Sequence, residues 1–264
     1  PQYSDYKIAL MALRVALEQA VEKRLLTERP VACLLSGGLD SSLIASLVQK
    51  NLKKQGKPAL KTFSIGMAGS TDIQYARKVA AFIESDHTEI ILTEDDFFNA
   101  IPQVIHDIES FDTTTVRASV GNWLVSKYIK EHTDCKVVFN GDGSDEVFGS
   151  YMYFFNAPND IDFEVETQRL LKDIHYFDVL RSDRSISSHG LEPRTPFLDR
   201  QFVQVAMSVA TKLRRPFKNI MEEKWILREA FNDGTYLPNE VLWRKKEAFS
   251  DGVSSLEKSW YEII

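Results

Sequence analysis

Leu34-Leu35-Ser36-Gly37-Gly38-Leu39-Asp40-Ser41-Ser42 follows the apolar run Val31 to Leu35 and opens into an amphipathic helix from Ser42 to about Asn51. A strand, a glycine turn and a helix start in that order make an anion cradle, because the first amides of a helix have no intrahelical partners and point at whatever lies in front of them. Phosphate is the guest such a cradle suits. Gly37 and Gly38 let the backbone approach an anion closely, while Ser36, Ser41 and Ser42 add hydroxyl donors. A Walker loop would need a lysine after its glycines, and none follows here. Asp40 repels phosphate unless a divalent cation lies between them, so the stretch predicts a magnesium-bridged pyrophosphate. The plainer alternative is a glycine turn whose serines cap an ordinary helix.

Working outward, apolar residues from Ile8 to Leu25 fall at helical spacing and predict a long amphipathic helix ahead of the loop. Beyond the loop the pattern alternates. Strands are expected at Leu60 to Gly66, His87 to Leu92 and Lys136 to Asn140, and helices at Asp72 to Glu84, about Asp95 to Ile108, and Arg117 to His132. Alternation of this kind predicts an α/β fold, a doubly wound parallel sheet with ligands at the carboxyl ends of its strands. After Tyr151 the strand signal fades, and Glu164 to Ser187, Phe202 to Ala210 and Glu222 to Phe231 read as helical. The expected organisation is therefore an α/β core over 1–151 and a helical lobe over 152–264 that continues the same domain.

The composition, 264 residues with 44% hydrophobic and 27% charged, is that of a globular protein with a full core. A net charge of −6 opposes a general nucleic-acid-binding surface. No apolar run approaches membrane-spanning length and the first residues are no secretory signal, so a cytoplasmic setting without membrane or nucleic-acid partners is expected. Cys33 and Cys135, each in or beside an apolar strand, read as buried thiols, and the five histidines lack metal-ligand spacing.

A second loop follows the strand at Lys136 to Asn140: Asn140-Gly141-Asp142-Gly143-Ser144-Asp145-Glu146. Two glycines and three carboxylates directly after a buried strand suit a place where metal and nucleotide meet; a plain turn with a helix N-cap is the other reading. Further on come Arg181-Ser-Asp183-Arg184, then Arg194-Thr195-Pro196-Phe197-Leu198-Asp199, and Lys246-Glu247-Ala248-Phe249-Ser250-Asp251-Gly252.

The S-G-G-x-D-S-S pattern resembles the loop of the ATP pyrophosphatases, which cleave ATP between its α and β phosphates to make an adenylate. The ordered set of motifs, with Asp112-Thr113-Thr114-Thr115-Val116-Arg117-Ala118-Ser119 between the two loops, is similar to the synthetase domain of asparagine synthetases and spans Leu34 to Gly252. This resemblance implies an adenine nucleotide alpha hydrolase-like fold. It also implies activation of the aspartate side-chain carboxylate by ATP with Mg²⁺, followed by attack of ammonia to give asparagine and AMP. It assigns pyrophosphate binding to Ser36, Gly37, Gly38, Asp40, Ser41 and Ser42, with Asp40 and Asp145 as metal ligands. Leu34, Ile65, Asn140 and Gly141 would hold the nucleotide. Lys246 would stabilise charge in the adenylation and pyrophosphate-leaving states, and Thr114, Thr115, Arg117, Asp142, Asp178 and Arg181 would surround the reacting groups.

Two departures stand out: Asp142 where family members commonly carry glutamate, and Asn140 where they carry serine. Glutamine-dependent members begin with a glutaminase domain whose N-terminal cysteine releases ammonia, whereas the first cysteine here is Cys33. The expectation is a domain of a larger glutamine-dependent enzyme, with a glutaminase domain as ammonia source and room for a homodimer. Competing readings are a β-lactam-forming synthetase, for which no tyrosine base is identifiable from sequence, and a catalytically silent nucleotide-binding relative. A tRNA-modifying sulfurtransferase is opposed by the apolar context of both cysteines.

Overall fold

The computed structural model describes residues 3–216 and 221–246. Helix α1 (Tyr6–Arg24), capped by the Asp5 carboxylate on the amide of Ile8, leads to β1 (Val31–Leu34), α2 (Leu39–Lys54), β2 (Lys61–Gly66), α3 (Thr71–Ile83) and β3 (Asp86–Ile91). Then α4 (Glu94–Ile108), with a Thr93/Asp96 capping box, and α5 (Thr113–His132) precede β4 (Val137–Phe139). Asp112 caps α5 by accepting from the amide of Thr115, which starts that helix four residues before the expected Arg117.

The strands form one parallel sheet in the order β3-β2-β1-β4-β5. Side chains alternate between its faces. Cys33 and Phe139 pack with α1, α2 and α3, while Ala32, Phe63, Ile65 and Val138 pack with α4 and α5. Both cysteines are free and buried, and burial pushes both thiols up.

The second half departs from expectation in two places. It continues with α6 (Ser144–Phe148), α7 (Asp160–Asp173), α8 (Asp178–Ser187) and then a strand, β5 (Glu192–Arg194), before α9 (Arg200–Ser208), α10 (Thr211–Arg214), α11 (Trp225–Ala230) and α12 (Asn239–Leu242). Strand β5 pairs with β4 through Val138 and Pro193, so the sheet is completed beyond residue 151. The helix expected from Glu164 to Ser187 is broken at a 3₁₀ turn, Ile174–Tyr176, with Phe177 outside helical geometry. Helices α9 and α11 pack into the core that holds α1 and α2, so one core runs through both halves. No helix among the described residues is long and apolar enough to cross a membrane.

The chain leaves β1 towards β2 on one side and reaches β4 on the other. Adjacent strands whose connections part in this way open a crevice at their carboxyl ends. Both loops singled out in the sequence start there.

Candidate active site

The turn at the end of β1 delivers Gly38 as the N-cap of α2, so Leu39, Asp40 and Ser41 form the helix's first turn and their amides face the crevice. Gly37 adopts φ +75°, and a Cβ there would lie 2.6 Å from Cβ of Tyr75 on α3. Ser36 and Ser41 hold the turn together through hydroxyls 2.9 Å apart, and Ser41 Oγ also accepts the amide of Ser36 at 3.2 Å. The second loop lies against the first with nothing between them: a Cβ on Gly141 would sit 2.7 Å from the Ser41 nitrogen and 2.8 Å from Asp40.

Four charges gather where the loops touch. Lys224, buried at 3% exposure, places Nζ 2.5 Å from Asp40 Oδ2 and 2.7 Å from Asp145 Oδ1. Lys246 Nζ reaches the same Asp145 oxygen at 2.6 Å, and Ser144 Oγ donates to Asp40 Oδ1 at 2.9 Å. Burial alone would raise the Asp145 carboxyl and lower the Lys224 ammonium. Their mutual attraction wins, holding Asp145 well below and Lys224 above the ordinary values. Lys224 also sits at φ +57°, a conformation a lysine rarely adopts, held here by its two carboxylate partners. Sequence reasoning missed it. The stretch Glu222-Glu223-Lys224-Trp225 reads as a helix start, and only the fold brings its lysine to Asp40, 184 positions away.

Across the cleft, Tyr151 Oη lies 2.8 Å from Asp178 Oδ2 and also bonds Glu146, while Arg181 grips Asp178 Oδ1. Burial and the adjacent Asp145 push the Glu146 carboxyl up, against the hydrogen bond that Tyr151 donates to it, and burial with Glu146 and Asp145 raises Tyr151 as well. Asp142 donates its amide to Asn140 Oδ1 at 3.3 Å, and Asn140 Nδ2 donates to Ser182 Oγ at 2.9 Å. The Asp142 Oδ2 atom is buried without a hydrogen-bond partner, and burial pushes its carboxyl up.

These groups line one cleft of about 690 Å³. Leu34, Ser36, Gly38, Asp40 and Ser41 enter it from β1 and α2, and Ile65 from β2. Asn140, Gly141, Asp142 and Asp145 come from the loop after β4, Thr114 and Arg117 from the start of α5, and Asp178 and Arg181 from α8. Lys246 closes the charged end. Three expected site residues do not line it. Gly37 shapes the turn from behind, Ser42 is buried within α2, and the Thr115 hydroxyl is spent on Asp112 at 2.7 Å. The Arg194 to Asp199 motif serves as a brace instead: Arg194 donates to carbonyls of Arg24 and Leu26, and Asp199 pairs with Lys23 and Arg24. Glu247 to Gly252 of the last motif lies outside the described residues.

The model of the family described as asparagine synthase matches residues 12–166 and 156–262. Asparagine synthetase [glutamine-hydrolyzing] of Gallus gallus is 48% identical over 265 residues, covering 100% of this chain and 47% of its own. That of Mesocricetus auratus is 50% identical over 253 residues, covering 96% and 45%. A looser likeness among solved structures is to NAD+ synthetase from Burkholderia pseudomallei, with TM-score 0.37 and 15% identity over 88% of each chain. The chain spans about half the length of the curated relatives it matches. A parallel sheet with two facing loops at its switch point, and matches that run through nearly every residue, place this chain in the asparagine synthase family.

Proposed function

We propose that this chain performs the synthetase reaction: ATP adenylates the side-chain carboxylate of aspartate with release of pyrophosphate, and ammonia then displaces AMP to give asparagine. The observation that carries the reading is the charged junction of the two loops, where Asp40, Asp145, Lys224 and Lys246 meet in front of the α2 N-terminus.

A carboxylate resists amines because its leaving group would be oxide, and adenylation replaces that with AMP. Negative charge then develops on the departing pyrophosphate, which needs cations and amides already in place. The first-turn amides of α2 and the hydroxyls of Ser36 and Ser41 bind its oxygens, and Lys246 with Lys224 neutralises them. Leu34 and Ile65, at neighbouring strand ends, border the adenosine.

Magnesium fits the donor set. Two carboxylates converging on one cation position, with phosphate oxygens to complete the shell, is how this hard ion is usually held. Among the described residues no three His, Cys, Asp or Glu side chains form a cage. Asp40 and Asp145 would hold the ion, which would supply charge to neutralise pyrophosphate oxygens.

At the other end, Arg117 and Arg181 supply the forked cations that bind carboxylates bidentately, and Thr114 a hydroxyl at the same wall. Because the relatives are named glutamine-hydrolyzing, the nitrogen source proposed for the longer protein is a glutaminase domain.

The test is pyrophosphate release from Mg²⁺-ATP with and without aspartate, following asparagine and AMP as ammonium is added. Aspartate-dependent pyrophosphate, with asparagine only when ammonium is present, is the expected outcome. Pyrophosphate release indifferent to aspartate would overturn the substrate assignment.

A further inference from the structure

The bulkiest fully buried side chain among the described residues is an arginine, Arg228 on α11, 1% exposed. A guanidinium keeps its charge inside a protein, so burying one is costly unless acceptors and an opposite charge surround it. Arg228 finds both, and takes them from two separate segments. On one side its Nε donates to the Glu223 carbonyl at 2.9 Å and its Nη2 to the Glu223 carboxylate. On the other its Nη1 donates to the carbonyl of Leu242, the last residue of α12, and its Cζ lies 6.0 Å from the centre of the Trp243 ring.

These two segments carry the two lysines of the loop junction. Glu223 directly precedes Lys224, and Leu242 lies four residues ahead of Lys246. Lys224 is fixed at its far end by Asp40 and Asp145. Lys246 stands on no helix, since α12 ends at Leu242, yet its Nζ must reach the same Asp145 oxygen that Lys224 holds. Arg244 pairs with Asp72 at 2.9 Å, which fixes this segment against α3 but not against Lys224. The fork of Arg228 does that, because it bonds the residue before one lysine and the helix end before the other. The Trp225 and Trp243 rings, 4.9 Å apart, pack the same two segments together.

Charge develops on the departing pyrophosphate only as its bond to the α phosphate breaks, and a group misplaced by about 1 Å loses on the order of 100-fold in rate. On the function proposed above, we infer that Arg228 is a positioning residue of the adenylation step. Anchored at Glu223, it sets where the segment after α12 presents Lys246 to the leaving group.

Two variants of the full chain test this. Arg228→Lys keeps a charge beside Glu223 and loses the fork. Arg228→Met combined with Glu223→Gln removes both charges, an exchange that leaves no buried ion unpaired and keeps the chain folded. Each is expected to lower kcat for aspartate-dependent pyrophosphate release about 30-fold with KM for ATP within about threefold, because Lys246 acts in the transition state. Added to Lys246→Ala, either change should lower the remaining rate by less than about threefold, since a residue that acts through Lys246 has nothing left to place. A readout without turnover is acetylation by acetic anhydride, followed by mass spectrometry: Lys246, released from Asp145, should react severalfold faster in the variants than in the wild-type chain. Should Arg228→Lys fail to fold, the charge-free pair decides by the same criteria. Wild-type kcat, the same 30-fold loss with and without Lys246, or unchanged labelling of Lys246 overturns the assignment while leaving the proposed function standing. A wild-type chain that releases no aspartate-dependent pyrophosphate overturns that function itself, and the role in adenylation with it.

Discussion

Two lysines reach Asp145, and their surroundings give them different jobs. Lys224 is buried between two carboxylates, whereas Lys246 is 24% exposed and shares Asp145 with it. Removing one partner of a buried ionic cluster leaves like charges facing each other in low dielectric, so Lys224→Met is expected to cost about 3 kcal/mol in urea unfolding. Lys246→Ala should cost under about 1 kcal/mol, since Lys224 still compensates Asp145, yet lower pyrophosphate release by at least about 100-fold. A Lys246→Ala variant as unstable as Lys224→Met would contradict this division. Only one of the pair was legible in the chain: Lys246 belongs to a recognisable run, while Lys224 is a lysine among glutamates until the fold closes over it. The reverse holds for Thr115, whose place in a motif invites a role that its bond to Asp112 has already taken.

At the scale of elements, the site depends on how closely β1 and β4 present their loops. Gly141→Ala puts a methyl into the backbone of Asp40 and Ser41, and overpacking of this kind costs about 1–3 kcal/mol. Pyrophosphate release should fall more steeply than stability, because the two carboxylates are driven apart. A variant with full turnover would show that the loops need not touch. The junction of α1 and α9 makes a different prediction. Burial would raise the Asp199 carboxyl, but Arg24, Lys23 and the Phe202 amide bring it down to about 2, from an ordinary 3.8. A depressed carboxyl contributes its stability in full above the unfolded value and loses it as pH falls through the folded one. Asp199→Asn, which keeps the cap on α9 but not the ion pairs, should therefore cost about 1–2 kcal/mol at neutral pH. In acid titrations the gap should close between about pH 4 and pH 2, and a pH-independent gap would refute the linkage. The first-half elements could be read because apolar residues recur there at strand or helix period over long stretches. Strand β5 could not: Glu192-Pro193-Arg194 is three residues long and has no alternation. Its proline is tolerated because, among the described residues, β5 pairs with β4 alone, at the edge of the sheet.

At the scale of the molecule, the sheet runs on past residue 151 into the stretch read as a helical continuation of the same domain. With β5 in the sheet and α9 and α11 in the core of α1 and α2, 1–151 is not a unit that could close on its own. A fragment ending at residue 151 is expected to lack a cooperative unfolding transition, while the full chain shows a single one by both circular dichroism and tryptophan fluorescence. Two separated transitions in the full chain would restore the boundary at 151. The ion pair between Asp40 and Lys224 has a consequence in time as well as in space. During synthesis both anion-facing loops are made long before their buried cation, which lies 184 residues after the first of them. Until it arrives the junction is a pair of uncompensated acids, so the two loops of a nascent chain lock together as one of the last events of its folding.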